Sequence, residues 1–332
     1  MTNQPTSTRL ETKTGRGTAP GKVILCGEHA VVYGQPAIAA PVNLVQASVT
    51  VRPGVQGKGL VVVSHNLDGF SAADRQRIAE RLAHVAANVA ELLPSSPLVG
   101  KDTRESADLL IEIDSSVPVE RGLGSGAAIG VAMIRAFASY FGLQLTTEQV
   151  SALAFETEKL HHGTPSGIDN TVVAYNQPVY FVRGQGVALL KVGAPLHLLI
   201  GDSGSRGSTA TVVGDLRQRH AAAPTHYDPI LQQVGDIARQ CRAALEAGDV
   251  SAVGCLFDRN HSLLQELDLS NGNLDRLVAA ARQAGALGAK LSGAGRGGNM
   301  IALVQPERAA TVHDALVAAG AVAVIGTVVE AT

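Results

Sequence analysis

The sequence predicts a two-domain α+β protein with its join near Val192. Two observations predict it. Short β-branched and apolar runs at Val23–Cys26, Val61–Ser64, Leu109–Ile113 and Val179–Val182 read as strands, with amphipathic helical patterns between them. Past Val192 the order changes to one strand, a long helical stretch, and then strand, helix, strand.

Each element has its own justification. Ile78, Leu82, Val85, Val89 and Leu92 recur at alternating four- and three-residue steps, one face of a helix. A second helix is expected to start near Thr146, with Gln149 completing a capping box. Its inward stripe runs Val150, Leu153, Ala154, Thr157, Glu158, His161, and it must stop before Pro165. Gly54–Gly59 reads as a loop. In the second half, strand Leu196–Ile200 is followed by helical sequence to about Ala284, strand Met300–Val304, helix Glu307–Ala319 and strand Ala321–Val329. No internal repeat is evident.

Composition excludes several classes of function. The 332 residues are 45% hydrophobic and 17% charged, enough to bury a sizeable core. The net charge of −2 comes with no basic stripe or tail, which argues against nucleic acid and an anionic membrane as partners. No apolar stretch is long enough to span a bilayer. Cys26, Cys241 and Cys255 lie too far apart for a disulfide framework or metal-ligand spacing, so a reducing cytoplasm is expected. The first 18 residues, polar and Thr-rich, read as a frayed tail and not as a signal peptide.

Four constellations carry chemistry. The first is Ala19-Pro-Gly-Lys-Val-Ile-Leu-Cys-Gly-Glu-His-Ala-Val-Val-Tyr-Gly34. Alone, Lys22 at a strand start reads as a solvated cation and Glu28-His29 as a surface turn. The sequence argues against a P-loop, because the spacing from Gly17 to Lys22 is wrong and Val23 stands where Ser or Thr must be. The second is Val117-Pro-Val-Glu-Arg-Gly-Leu-Gly-Ser-Gly-Ala-Ala-Ile-Gly130, leading into a helix. Its glycines admit a close ligand, and the first helical N–H groups favour an anion, so it reads as a phosphate cradle. Gly122-x-Gly124-x-x-Ala127 also matches part of a dinucleotide fingerprint, but the acid and second strand that should follow are missing.

The third is Glu158-Lys-Leu-His-His-Gly-Thr-Pro-Ser-Gly-Ile-Asp-Asn170. Glu158 lies on an apolar stripe, where a lone carboxylate is expensive unless paired or bound to metal. Asp169 is expected in a Gly/Pro-shaped loop. The fourth, Ala289-Lys-Leu-Ser-Gly-Ala-Gly-Arg-Gly-Gly-Asn299, has four glycines in six residues between strand-like segments. By itself it would pass for a flexible hairpin.

In order and spacing, Pro20-Gly-Lys-Val-Ile-Leu with Gly27-Glu-His-Ala-Val-Val, Gly122-Leu-Gly-Ser, and Lys290-Leu-Ser-Gly-Ala-Gly resemble the three motifs of the GHMP kinases. This family is named for galactokinase and the homoserine, mevalonate and phosphomevalonate kinases. His162-Gly-Thr-Pro-Ser-Gly-Ile-Asp-Asn170 resembles the mevalonate kinase branch. The resemblance covers about Pro20 to Val304. It implies an N-terminal ribosomal-protein-like domain over residues 1–192 and a ferredoxin-like domain over 193–332, with the site between them. ATP phosphates would lie on Gly122, Leu123, Gly124, Ser125, Gly126 and Ala127. Glu158 and Ser125 would hold Mg2+. Asp169 would take the proton of the substrate hydroxyl, and Lys22 would favour the alkoxide and steady the transferring phosphoryl group. Glu28, His29 and Thr209 would face mevalonate, and the last glycine loop, with Gly293 and Ala294, would brace the phosphate loop and line the substrate pocket.

The chain departs from the family pattern at Gly126, where a second serine is usual. It departs also at Arg296 and Asn299, and at Gly204, where a lysine is frequent. Other kinases of the family, for phosphomevalonate or homoserine, are the near alternatives. A nicotinamide-dependent oxidoreductase is the remote one, and a non-catalytic sensor is disfavoured because Lys22 and Asp169 are both present. The oligomeric state stays open, a homodimer being one option.

Overall fold

A computed structural model describes residues 13–65, 72–92, 108–119, 121–162, 166–205 and 209–332. The N-terminal half is built on one mixed sheet. Strand β1 (Gly15–Cys26) pairs antiparallel with β2 (Ala37–Pro53), which also pairs antiparallel with β4 (Leu109–Ser115) and β5 (Val179–Phe181). Strand β3 (Leu60–Ser64) runs parallel to β4 after a crossover that contains helix α1 (Ala72–Leu92), and short β6 (Ala188–Leu189) closes the far edge. β3 with β4 is the one parallel pair among the described strands, so the doubly wound parallel sheet of a dinucleotide fold is ruled out.

Two expectations change here. β1 begins at Gly15, inside the stretch expected to be a frayed tail. The reason is packing without side chains: a Cβ on Gly15 would lie 2.3 Å from the Ala136 carbonyl oxygen, and one on Gly17 would lie 2.1 Å from that of Ala132. Helix α2 (Ser125–Phe141) therefore rests directly on the strand backbone. β2 has no counterpart among the strands the sequence predicts. Its second half alternates cleanly, with Val45, Ala47, Val49 and Val51 buried and Gln46 and Ser48 exposed.

Helix α3 (Thr147–His162) starts as expected. Thr146 N–H donates to Gln149 Oε1 at 2.8 Å, and Gln149 N–H donates to Thr146 Oγ1 at 3.3 Å, a reciprocal capping box. Val150, Ala154 and Thr157 of its stripe are buried, and Glu158 is half-buried. The His161 side chain and residues 163–165 lie outside the described residues. Helix α4 (Ile168–Tyr175) follows. Asp169 thus stands in a helical first turn and not in a loop.

The C-terminal half starts with β7 (Leu196–Asp202) and continues through α5 (Thr209–Ala222), α6 (Pro224–Ala247), α7 (Val250–Glu266) and α8 (Gly272–Gln283). Strands β8 (Gly288–Ser292) and β9 (Asn299–Val304) form a hairpin, followed by α9 (Ala309–Ala318) and β10 (Ala323–Val329). The antiparallel sheet has the order β10-β7-β9-β8, the strand order of a ferredoxin-like unit. Its strands use both faces. Leu198, Ile200, Ile301 and Leu303 join the apolar cluster that fills the N-terminal half, whereas Leu199, Met300, Ala302 and Val304 face a second cluster with Leu274, Leu277 and Leu316. One core therefore runs without a break from β1 to the inner face of the second sheet.

Candidate active site

A break in β1 sets the site. The register of β1 against β2 shifts between Pro20 and Gly21, a bulge that re-aims the next residue. Lys22 is that residue. Its backbone N–H donates to the Leu123 carbonyl at 2.9 Å, which ties the strand to the Gly122–Ala127 loop. Its side chain is 5% exposed and passes under Gly124, where a Cβ would stand 2.7 Å from Lys22 Cγ. Gly124 also has φ +74°, so both space and backbone conformation call for glycine. Lys22 Nζ ends 3.0 Å from Asp169 Oδ2, whose side chain is 34% exposed. Asp169 lies in the first turn of α4, where the helix dipole favours a carboxylate.

The Gly122–Ala127 loop becomes the start of α2. Gly124 is its N-cap and supplies no side-chain cap. Ala128 N–H, donating to the Gly124 carbonyl at 2.9 Å, makes the first bond of the helix. The N–H groups of Ser125, Gly126 and Ala127 precede it, as an anion site requires. A Cβ on Gly126 would meet nothing within 4 Å, so the missing serine leaves open space and no repacked core. Helix α3 packs along α2 with Thr157 beside Gly130, and Glu158 is the next residue.

The last glycine loop braces the phosphate loop directly. Asn299 Nδ2 donates to the Arg121 carbonyl at 2.6 Å, and a Cβ on Gly122 would lie 3.4 Å from the Ser292 carbonyl. Ser292 Oγ accepts from Ile24 N–H at 3.1 Å and donates to the Ile24 carbonyl at 3.0 Å, locking β8 to β1. Two departures from the family pattern are thus structural parts. Asn299 is the brace itself. Arg296, at φ +52°, ion-pairs with Asp215 at 2.7 Å and Asp268 at 2.5 Å, fixing the loop to α5 and to the turn after α7.

Glu28 is a correction. Its side chain is 1% exposed, and neither oxygen is free for a substrate. One is ion-paired with Lys290 Nζ, and the other accepts from Asn260 Nδ2 at 3.0 Å. Lys290 is fully buried and also donates to the Leu291 carbonyl at 2.7 Å. This buried pair joins the first motif to the last across the two halves. His29 does reach the expected neighbourhood, with Nε2 2.8 Å from the Ala294 carbonyl, the acceptor that fixes the proton on Nε2. Burial holds its pKa down to about 4, with Arg219 and Arg296 adding to the effect against the pull of that carbonyl. Thr209 is exposed at the first turn of α5, and residues 206–208 before it lie outside the described residues. Asn260 and Arg121 were not singled out from the sequence. Each lies outside the family motifs or at their edge, and neither has a spacing that marks it.

A lysine–aspartate pair beside a glycine-bounded helix N-terminus, held between a mixed sheet and a ferredoxin-like sheet, defines a small-molecule kinase of one class. The GHMP kinases N terminal domain matches over residues 76–177 and the GHMP kinases C terminal domain over residues 241–322. The chain belongs to the GHMP kinase family. Within it, the chain is 36% identical to a mevalonate kinase of Thermococcus sibiricus, over 93% of this chain and 94% of that protein. It is 37% identical to one of Thermococcus gammatolerans, over 91% and 92%. Its structure is similar to that of the L. major mevalonate kinase solved in complex with R-mevalonate, with a TM-score of 0.83 and 30% identity over 97% of this chain and 98% of that one.

Proposed function

We propose that this chain is a mevalonate kinase that transfers the γ-phosphoryl group of ATP to the primary hydroxyl of mevalonate, giving 5-phosphomevalonate and ADP. The observation that carries the reading is the Lys22–Asp169 pair at 3.0 Å, one member nearly buried and the other open, beside the cap of α2. The identity to mevalonate kinases along nearly the whole chain supports the choice of acceptor.

The roles follow from charge and reach. The N–H groups at the start of α2 hold ATP phosphates. Asp169 accepts the proton of the acceptor hydroxyl, whose oxygen attacks the γ-phosphorus while the bond to ADP breaks. The Lys22 ammonium group stabilises the alkoxide and then the charge that develops on the transferring group. His29, kept neutral, offers a hydrogen-bonding edge beside Ala294, and Thr209 and Gly293 complete the acceptor pocket.

Glu158 and Ser125 are the candidate protein ligands for Mg2+. Among the described residues, no group of three or more His, Cys, Asp or Glu side chains is placed to hold a metal. That fits magnesium delivered with ATP, which takes one or two protein carboxylates and draws its other oxygens from phosphates and water. Magnesium held there would supply positive charge that offsets that of the phosphates. The described cysteines are all free, consistent with a cytoplasmic enzyme, and no described helix is long and apolar enough to cross a membrane.

The test is a coupled ADP-release assay across mevalonate, phosphomevalonate, homoserine and galactose. Turnover with mevalonate well above the others is expected. Preference for phosphomevalonate or homoserine would move the chain to another branch of the family.

A further inference from the structure

The phosphate loop is held from the opposite half of the molecule at a point that none of these roles requires. Arg121 immediately precedes the loop. Its Nη1 donates to Asp202 Oδ1 at 2.8 Å, with the two side chains 18% and 14% exposed. The same nitrogen lies 3.5 Å from the Ser205 carbonyl, while the Arg121 carbonyl accepts from Asn299. Asp202 ends β7 and Asn299 begins β9, and the two are register partners.

Asp202 Oδ1 is shared. It also accepts from Gly204 N–H at 2.9 Å. Ser203 N–H donates to the Gly298 carbonyl at 2.9 Å, and Gly298 N–H donates to the Ser205 carbonyl at 2.8 Å. One carboxylate oxygen therefore fixes both the entry to the phosphate loop and the turn over residues 202–205. That turn leads towards α5, which opens at Thr209. Gly204 belongs to this arrangement: at φ +72° and with Val322 Cγ1 2.9 Å from where a Cβ would be, the turn has no room for the longer residue frequent there.

We propose that Arg121 is a positioning residue that couples nucleotide binding on the α2 side to acceptor binding on the α5 side. The pair is largely desolvated, so separating its members leaves an unsatisfied charge, and the two segments move together or not at all. Phosphate binding that orders the loop orders the 202–205 turn through Asp202, and acceptor binding on the α5 side that orders the turn does the converse by the same factor. The identity of the acceptor rests on the function proposed above. The coupling itself does not.

Two measurements on the full chain test it. In calorimetry, a non-hydrolysable ATP analogue with Mg2+ tightens mevalonate binding to the wild type by about fivefold or more, a typical coupling. Arg121→Met and Asp202→Asn bring that factor close to one. Arg121→Lys keeps most of it, because Arg121 uses a single nitrogen towards Asp202. In hydrogen exchange, the analogue alone slows amide exchange at residues 203–205 in the wild type and not in Arg121→Met. A wild type with neither effect overturns the coupling, as does a folded Arg121→Met or Asp202→Asn protein that keeps both. If mevalonate fails to bind the wild type while exchange at 203–205 responds as stated, the acceptor is wrong and the link from phosphate loop to turn stands, to be read with the acceptor that does turn over.

Discussion

Lys22 and Asp169 meet at 3.0 Å although 146 residues separate them along the chain, and each is aimed by a break in regular structure. A bulge just before Lys22 resets the register of its strand, and the glycine at 167, with φ +95°, opens the helix that carries Asp169. Removing either side chain should abolish chemistry with modest effect on nucleotide binding. Asp169→Asn is expected to lower kcat by on the order of 10²–10⁴-fold. Lys22→Met should lower kcat more than it raises KM for ATP, the signature of a group acting on transition-state charge. Steady-state kinetics with fluorescent nucleotide titration reads both. A Lys22→Met enzyme changed only in KM for ATP would make Lys22 a ground-state anchor.

Gly124 and Gly126 lie two residues apart and should respond in opposite ways to the same substitution. Gly124→Ala places a methyl group against the Lys22 stem at a left-handed backbone position, which costs about 1–2 kcal/mol before any steric term. It should lower both the melting temperature and kcat. Gly126→Ala enters open space in a helix, where alanine is favoured by up to about 1 kcal/mol. Its stability should hold or rise. Equal losses in the two variants would contradict the packing of Lys22 under Gly124.

The metal shell is tested at the same loop. Ser125→Ala should raise the magnesium concentration needed for half-maximal rate, Glu158→Gln should raise it further, and Gly126→Ser should leave it equal or lower it. Titrations at saturating ATP discriminate. An unchanged Ser125→Ala curve beside a clearly tightened Gly126→Ser curve would reduce Ser125 to a helix-start residue and leave water in the shell.

Glu28→Gln should act on stability before it acts on substrate. It strands Lys290, fully buried, without its counter-charge, and breaking such a pair typically costs about 3–5 kcal/mol. Glu28→Gln/Lys290→Met should recover much of that loss in denaturant unfolding. A stable Glu28→Gln protein with only a raised KM for mevalonate would restore Glu28 as a substrate contact.

Two buried histidines make the fold acid-sensitive. His29 is held down to about 4 by burial, with Arg219 and Arg296 adding. His261 is also held down to about 4 by burial, with Arg282 and Lys290 adding, against Asp275. The unfolded chain takes up these protons near pH 6.5 and the folded one only near 4. Neither group alters stability well above pH 6.5. Stability falls as pH drops below that value, and the loss is complete below about 4. Urea midpoints between pH 7 and 5, where most carboxylates stay ionised, should decline, and His261→Gln should decline less. A flat wild-type profile over that range contradicts the burial of both rings.

Much of this was legible in the sequence. The capping box at Thr146 and Gln149 and the strands at Leu109 and Leu196 needed only local pattern, whereas the meeting of the three motifs followed from the family resemblance. β1 before Thr18 was hidden because its inner face is Gly15 and Gly17, which hydrophobic periodicity cannot register. β2 was hidden by Ala39, Ala40 and Pro41, which blur the alternation that is plain from Val45 onward. The structural role of Glu28 is invisible to spacing rules because its counter-ion lies 262 residues away. Asn260 and Arg121 acquire meaning only from their partners in space.

The inner face of the second sheet bears on how such a chain can be divided. Leu198, Ile200, Ile301 and Leu303 share one apolar cluster with β1, β2 and α2 of the first half and with α6 and α7 of the second. A gene cut near Val192 would give a C-terminal fragment in which the part of this cluster supplied by β1, β2 and α2 is missing, and an N-terminal fragment lacking the part supplied by the second half. Neither piece should stay soluble when made separately, and mixing them should rescue both. Exchange of halves between relatives should succeed only when those four positions travel with the residues they touch, so the inherited unit is the seam and not the half.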